Sequence, residues 1–416
     1  MGEHWGREAA RTLLAQCLGS GRWAKDVLRR LVGEALHPDP VRAQAASQAL
    51  FGVLVEGLAD RFEPRLCDTY AELFSEVIAI TYPDVDPADL LARYQRVRRP
   101  RVFQGDRSAV KRIFVLSRVT LGADIAVTSP ILDGLERAFP AAEIALVGGP
   151  KSHQLFAADP RIRPILLPYE RSGRLRERLA VWSRLRALVD QPDSIVVDPD
   201  SRLTQLGLLP VCSEDRYFFF ESRSYGREGD EPLGLLAGRW VEETFGVRGW
   251  PYVAPQPAPE TSSGAMITVS LGVGGNPAKR LGDPFEAELL ASLARFGPVL
   301  VDKGGDPEEA MRVDKAVKAC GSPWVKTFEG SFAEFASRIA RSRVFVGYDS
   351  AAGHAAAASS TPVVSVFAGA VSPRMRARWR PFGRGRVELV VADAQAPQAT
   401  LEETFRRLEW ILSPGC

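Results

Sequence analysis

The sequence predicts an α/β protein in which a helical N-terminal segment precedes two successive parallel-sheet domains. Three observations indicate this organisation. Apolar residues recur at three- and four-residue spacing over about the first 107 positions, as in amphipathic helices. From residue 111, short apolar runs alternate with helical stretches of ten or more residues, which is typical of βαβ units. A Pro- and Ser-containing stretch at 251–264 then separates one such series from the next.

We therefore expect three domains in the 416 residues: an all-helical domain over 1–107, a first α/β domain over 108–255, and a second over 256–416 that ends in a helix. The helical part is typical of a cap or an oligomerisation module. The predicted strands of the first α/β domain are 113–116, 143–147, 195–197 and 217–220. Those of the second are 267–271, 299–301, 344–346 and 363–367.

Composition narrows the class of protein. Hydrophobic residues make up 45% and charged residues 25%, which is ordinary for a globular chain. A net charge of +2 gives no reason to expect nucleic acid as a partner. The five cysteines are widely spaced, so we expect reduced thiols in a cytoplasmic protein rather than a disulfide framework or a zinc cluster. Neither a signal peptide nor a membrane span is apparent, although peripheral membrane association stays open.

The most informative stretch joins the predicted strand at 344–346 to a helix rich in small residues. Asp349 and Ser350 stand where helix caps are expected, and Ala351 and Gly353 leave room for a ligand. A helix N-terminus offers free amide groups and a favourable dipole to a diphosphate. His354 falls in the first turn, where it could donate to a phosphate. A well-capped, tightly packed helix with a buried histidine explains the same residues.

A glycine-rich turn follows the predicted strand at 267–271. Gly274 and Gly275 precede Lys279 by a few residues. Such turns let a backbone approach phosphate, although the pattern is weak when it stands alone. A lysine here could neutralise the charge of a phosphate group. The alternative is a solvated lysine at the end of a loop.

Taken together, the motifs resemble family 9 glycosyltransferases, the ADP-heptose:lipopolysaccharide heptosyltransferase family. That family has a strand, then Asp-Ser/Thr-Gly-x-x-His, alanines and a Thr-Pro-apolar strand. The matching residues are Asp349, Ser350, His354, Thr361, Pro362 and Phe367. Ala351 departs from the usual glycine, and Ala368 stands before Gly369. The resemblance covers about 111–413 and leaves the first 110 residues outside.

The same family opens with a strand, a Gly-Asp turn and a helix. Here Gly122 and Asp124 are separated by Ala123, and Asp124 stands six residues before Pro130, as in the family. The resemblance implies that this aspartate is the general base. A carboxylate suits that role because the acceptor hydroxyl must lose a proton as it attacks. The alternative is an aspartate that only caps a helix.

The resemblance implies two facing Rossmann-like domains of the GT-B type glycosyltransferase fold, with the acceptor in the first and the donor in the second. It implies a bacterial, metal-independent, inverting enzyme without cofactor that moves heptose from ADP-heptose to a saccharide, glycolipid or protein acceptor, as in lipopolysaccharide biosynthesis. The implied catalytic residues are Asp124 and Lys279. The implied donor site comprises Gly274, Gly275, Lys279, Asp349, Ser350, Ala351, Gly353 and His354.

Three arginines, Arg118, Arg171 and Arg174, are candidates for an acidic acceptor, although the arginine-rich stretch that contains the last two also suits an exposed helix face. The segment Asp198-Pro-Asp200 matches the Asp-x-Asp pattern of some metal sites. We interpret it as a turn at the end of a strand.

Two alternatives to a transferase remain. One is a non-catalytic sugar-nucleotide-binding scaffold, and the other is a nucleotide-sugar epimerase of the related two-Rossmann type.

Overall fold

The structure is a computed structural model that describes residues 2–227, 229–257, 266–274, 276–369 and 372–413, with side chains from residue 4 onward. Part of the predicted linker, 258–264, lies outside these ranges. The N-terminal segment is helical, as predicted. Its helices are α1 (Gly2–Gly19), α2 (Lys25–Ala35), α3 (Pro40–Ala49), α4 (Glu56–Ala59), α5 (Pro64–Thr81) and α6 (Pro87–Val97). A π-helical turn, Leu50–Val55, joins α3 to α4.

The first sheet has five parallel strands in the order β3-β2-β1-β4-β5. They are β1 (Arg112–Leu116), β2 (Glu143–Gly148), β3 (Ile162–Leu166), β4 (Ser194–Asp198) and β5 (Tyr217–Phe219). The accompanying helices are α7 (Leu121–Ala123), α8 (Ser129–Ala138), α9 (Pro150–Leu155), α10 (Leu175–Val189) and α11 (Leu233–Phe245). β4 is buried along its whole length, as expected of a central strand covered on both faces.

The second sheet has six parallel strands in the order β11-β10-β9-β6-β7-β8. They are β6 (Ile267–Ser270), β7 (Val299–Asp302), β8 (Val325–Phe328), β9 (Val344–Tyr348), β10 (Val363–Phe367) and β11 (Val387–Val391). Its helices are α12 (Phe285–Leu293), α13 (Pro307–Cys320), α14 (Phe332–Ile339), α15 (Ala351–Ala358), α16 (Pro373–Trp379) and α17 (Pro397–Leu412). The prediction of two parallel-sheet α/β units is confirmed.

Three strands, β3, β8 and β11, have no counterpart in the sequence prediction. All three lie at the edges of their sheets. An edge strand is partly exposed, so it lacks the continuous apolar run by which a buried strand is recognised. β3 even carries Pro164, which an edge tolerates because one row of its amide groups needs no partner.

The N-terminal helices do not enclose a core of their own. Their buried residues, Leu31 and Phe74 among them, belong to the same apolar cluster as Phe114 of β1 and Leu179 of α10. The helices therefore cover one face of the first sheet. Helical character is confirmed for this segment, but a separate N-terminal domain is not.

The two halves of the molecule pack against one another. The opposite face of the first sheet shares a cluster with the second half, in which Val115 of β1 and Trp240 of α11 are joined by Phe345 of β9 and Ala355 of α15. In each sheet the strand order reverses at one point, between β1 and β4 and between β6 and β9. Open parallel sheets bind ligands at the carboxyl ends of strands beside such reversals.

Candidate active site

A cleft of about 1160 Å³ lies between the two sheets, where the loops after β1, β4, β6 and β9 meet. Residues from both halves and from the N-terminal segment line it. Of the predicted site residues, Arg118, Arg171, Gly274, Lys279, Asp349, Ser350, Ala351 and His354 all line this cleft. The structure therefore brings together most of a set that the sequence scatters over more than 230 positions.

Lys279 and Asp349 form an ion pair in the cleft. The Nζ atom of Lys279 lies 2.6 Å from Oδ2 of Asp349. Lys279 ends a short 3₁₀ turn, Pro277–Lys279, which the Asn276 side chain caps by accepting a hydrogen bond from the Ala278 amide. The turn after β6 thus places the ammonium group of Lys279 at the carboxyl end of β9.

The first turn of α15 is open to the cleft. Ser350 occupies the N-cap position, yet its hydroxyl makes no capping bond, is buried, and has no hydrogen-bond partner in the described part of the chain. The prediction that Asp349 and Ser350 cap this helix is wrong for Ser350, and Asp349 instead pairs with Lys279. Free amide groups at a helix start, with an uncommitted hydroxyl beside them, suit an anion.

His354 lies one turn into α15 and is 5% exposed. The ring of Trp379 meets it edge-on, with 6.0 Å between the ring centroids. From the first half, Gly122 approaches so closely that a Cβ atom there would lie 3.5 Å from the imidazole. Burial lowers the pKa of His354 to about 4, and nearby Lys279 lowers it further while Asp349 opposes the shift. The imidazole is therefore neutral near pH 7, when it can serve as a hydrogen-bond donor but not as a cation.

A pH effect on stability follows from His354. The unfolded chain takes up a proton near the ordinary pKa of 6.5, whereas the folded chain does so only near 4. Stability is thus fully present above pH 6.5 and falls as the pH is lowered toward 4, by on the order of 3 kcal/mol from this group. In denaturation experiments between pH 7 and pH 4, His354→Asn should lose less stability than the parent. Parallel curves for the two proteins would contradict this origin.

Asp124 is fully buried behind the cleft rather than exposed in it. Its carboxylate accepts hydrogen bonds from the hydroxyls of Ser117 (2.7 Å), Ser152 (2.5 Å) and Thr128 (2.8 Å) and from the Arg118 amide (2.7 Å). Burial raises its pKa, and these hydrogen bonds oppose the rise. Ser152, which donates one of these hydrogen bonds, itself lines the cleft and so connects Asp124 to it. The role of Asp124 as general base stays a prediction.

The predicted arginines differ in placement. Arg118 and Arg171 line the first half of the cleft, and Arg171 pairs with Glu56 of α4 at 3.0 Å. Arg174 precedes α10, where it pairs with Glu177 at the exposed surface outside the cleft lining.

The glycines of the predicted donor site also differ. Gly274 lines the cleft with a φ of +61°, a conformation that glycine adopts without strain. Gly275 lies outside the described residues. Gly353 lies inside α15, where a Cβ atom would be 3.4 Å from Pro381.

Sequence reasoning missed five charged residues of the first half of the cleft: Glu56, Asp60, Lys151, Asp200 and Arg202. Two of them lie in the N-terminal segment, which no family motif reaches. Asp200 forms a buried ion pair with Arg223 at 3.0 Å.

The segment that we interpret from sequence as a strand-end turn has this structure. Asp198 accepts a hydrogen bond from the Ser201 amide at 2.7 Å, so 198–201 form a turn at the end of β4.

The described part of the chain contains neither a cluster of metal-ligating side chains nor a helix long and apolar enough to cross a membrane.

Comparison with known proteins gives one sequence family. Residues 286–408 match Glycosyltransferase family 9 (heptosyltransferase). A stretch of 111 residues is 32% identical to Lipopolysaccharide heptosyltransferase 3 of Escherichia coli and covers 26% of this chain. The chain spans 32% of the length of that curated relative. The family match includes Asp349 and His354, whereas Lys279 and Asp124 precede it.

Solved structures that share the fold include the following two. A family 9 glycosyl transferase from Veillonella parvula DSM 2008 has a TM-score of 0.53 at 17% identity, over 73% of this chain and 97% of that one. The E. coli heptosyltransferase WaaC with ADP has a TM-score of 0.50 at 15% identity, over 70% of this chain and 99% of that one. At such identities the likeness concerns the fold alone. The resemblance to family 9 glycosyltransferases is thus confirmed, in sequence over residues 286–408 and in fold over about 73% of the chain.

Proposed function

We propose that this protein is an inverting, metal-independent glycosyltransferase that uses a nucleoside-diphosphate sugar. The observation that carries the proposal is the Lys279–Asp349 pair beside the uncapped start of α15, in a cleft between two parallel sheets. A cation and a row of free amide groups are what a diphosphate requires. The family match, which covers the same helix, supports a role of this arrangement in sugar transfer.

The proposed reaction is a single displacement. The acceptor oxygen forms a bond to the anomeric carbon while the bond from that carbon to the diphosphate breaks, and the electron pair leaves with the nucleoside diphosphate. Lys279 and the amides of α15 neutralise the charge that develops on the leaving group, an effect that commonly contributes several kcal/mol. His354, which is neutral, donates a hydrogen bond to the diphosphate. Closure of the cleft would exclude water and limit donor hydrolysis.

The two halves divide the substrates between them in this proposal. The donor occupies the part formed by 256–416, and the acceptor occupies the part formed by 108–255 with its helical cover. ADP-heptose is the donor we propose, because the curated relative is a lipopolysaccharide heptosyltransferase. A saccharide, glycolipid or protein could be the acceptor. We place the reaction in the cytoplasm, since the free thiols of Cys17, Cys67, Cys212 and Cys320 suit a reducing compartment.

A thermal-shift screen against ADP-, UDP- and GDP-linked sugars tests the donor site. Ligands that bind the folded state raise its apparent stability by mass action. We expect ADP-sugars to give the largest rise, about 2.7 kcal/mol at a concentration 100 times Kd, and we expect His354→Ala to weaken it. If only UDP- or GDP-sugars raised the stability, the donor we propose would be wrong, but the proposed binding site would stand.

Product analysis separates the alternative functions. A transferase or its hydrolytic side reaction releases nucleoside diphosphate, whereas an epimerase converts the donor without an acceptor and without release. Binding without either reaction would identify a scaffold. No binding to any of the three donors, with a positive binding control, would contradict the proposal.

A further inference from the structure

The connector between α4 and α5 packs into the second half of the molecule. Phe62 lies on this connector, and its side chain is 2% exposed. It belongs to the apolar cluster that contains Phe345 of β9 and Ala355 of α15, whereas the helices before and after it share the cluster that covers the first sheet. The appended segment therefore supplies one side chain to the cluster that includes α15, the helix of the proposed donor site.

The contacts that hold Phe62 come from α16. The Phe62 ring meets Trp379 edge-on, with 6.1 Å between the ring centroids and 80° between the ring planes. Nε of Arg374, which lies earlier in the same helix, donates to the Phe62 carbonyl at 2.5 Å. Phe62 also adopts a φ of +57°, a left-handed conformation that a residue with a Cβ atom keeps only where its surroundings fix it. Both the backbone and the ring of Phe62 are thus fixed against α16.

Trp379 connects Phe62 to His354. Its ring also meets the imidazole edge-on, at 6.0 Å between the ring centroids, and Trp379 lines the cleft. The imidazole makes no hydrogen bond within the described part of the chain, so its packed neighbours set its orientation. These neighbours are Trp379 from the second half and Gly122 from the first. A side chain in a binding site keeps its geometry when such packing locks its rotamer.

We propose that Phe62 is a positioning residue of the donor site, which holds Trp379 against His354 so that the appended helical segment governs how tightly the nucleoside diphosphate binds. This inference rests on the proposed function. Phe62 does not line the cleft, so it acts through Trp379 and not on the ligand. Removal of the Phe62 ring leaves a cavity beside Trp379, and the surrounding side chains relax into it only in part. The imidazole of His354 then loses the neighbour that orients it, and water reaches it more easily.

A histidine titration tests the contact without any ligand. The chain has four histidines, so their ring protons can be followed separately by NMR, and His354→Asn assigns the signal of interest. Burial holds the pKa of His354 at about 4 in the parent, below the ordinary value of 6.5. Phe62→Ala keeps Asp349 and Lys279, the two charged groups that act on this ring. We expect the pKa of His354 to rise in Phe62→Ala, because the imidazole becomes better hydrated.

Calorimetric binding of ADP to the full chain is the second measurement. We expect Phe62→Ala to weaken ADP binding about tenfold, within the range that substitutions without ligand contact produce. Phe62→Leu keeps part of the apolar volume beside Trp379, so it should change the ADP affinity and the pKa of His354 in the same directions but less. This milder variant also serves if Phe62→Ala does not fold.

The matched control is Phe51→Ala. Phe51 lies in the same appended segment, is also 2% exposed and contacts the ring of Phe74 at 5.8 Å, but it belongs to the cluster that covers the first sheet. Both alanine variants should lose stability, since both leave a buried cavity. Only the loss of Phe62 should weaken ADP binding and raise the pKa of His354.

Two results would overturn the role of Phe62. One is equal ADP affinity in the Phe62 and Phe51 variants, and the other is a His354 pKa that stays at about 4 when Phe62 is replaced. Failure of the parent to bind ADP has a different meaning. It would overturn the proposed donor site itself, and this inference would fall with it.

Discussion

Lys279→Ala is expected to reduce turnover of the nucleotide sugar by about 10³-fold and to weaken binding of the nucleoside diphosphate. Loss of one preorganised group at a developing negative charge typically costs 10²–10³ in rate. Here the loss is compounded, because Asp349 would keep its charge beside the diphosphate without the partner that now lies 2.6 Å away. ADP release and calorimetric ADP binding measure the two effects.

A double-mutant cycle separates these contributions. Lys279→Ala/Asp349→Asn removes the stranded carboxylate, so it should bind ADP more tightly than Lys279→Ala alone, since paired residues are not additive. Lys315→Ala is the matched control. Lys315 also pairs with an aspartate, Asp283, at 2.6 Å, but its side chain is 74% exposed. Equal losses in the two lysine variants would show that general charge, rather than the cleft pair, governs binding.

Asp124→Ala is expected to lower the free energy of unfolding by about 3–5 kcal/mol. The substitution leaves three hydroxyls and one amide in a buried place without their acceptor, and each unsatisfied buried group costs roughly 1–3 kcal/mol before water or rearrangement offsets part of it. Urea denaturation should show a lower midpoint, and hydrogen exchange should accelerate over residues 117–128.

This stability effect decides how Asp124 can be tested in the reaction. A loss of activity in Asp124→Ala would follow from disorder of the loop after β1 as well as from loss of a base. Asp124→Asn keeps the shape and one carbonyl acceptor, so we expect a smaller destabilisation and a folded cleft. An unchanged urea midpoint in Asp124→Ala would contradict the structural role of these hydrogen bonds.

The central strands and the second half of the site could be predicted from sequence because buried parallel strands and motif spacing leave local signals. Val344 to Val346 is an uninterrupted β-branched and aromatic run, and Asp349 and His354 follow it at family spacing. The edge strands lacked such runs. The uncapped state of Ser350 had no local signal in the sequence. Nor did the pairing of Asp349, because its partner is a lysine 70 residues away.

The position of Asp60 in the cleft could not be predicted from the sequence. Nothing in the run Leu-Ala-Asp-Arg-Phe distinguishes it from an ordinary helix end. Its place in the cleft depends on long-range contacts, including the packing of Phe62 against Trp379, more than 300 positions along the chain. For Asp124 the spacing to Pro130 predicted the loop in which the residue lies. It did not predict that the carboxylate is fully buried.

The contact between Phe62 and Trp379 also bears on how products depart. The helices that carry Phe62 share their core with the first sheet, while Trp379 belongs to the second half. Rigid-body separation of the halves must therefore withdraw a buried aromatic ring from its partner, at a cost comparable to exposing a phenylalanine side chain, about 1.5–3 kcal/mol. We therefore expect the appended helices to oppose separation of the two halves, so that the rate of cleft opening depends on the Phe62–Trp379 contact.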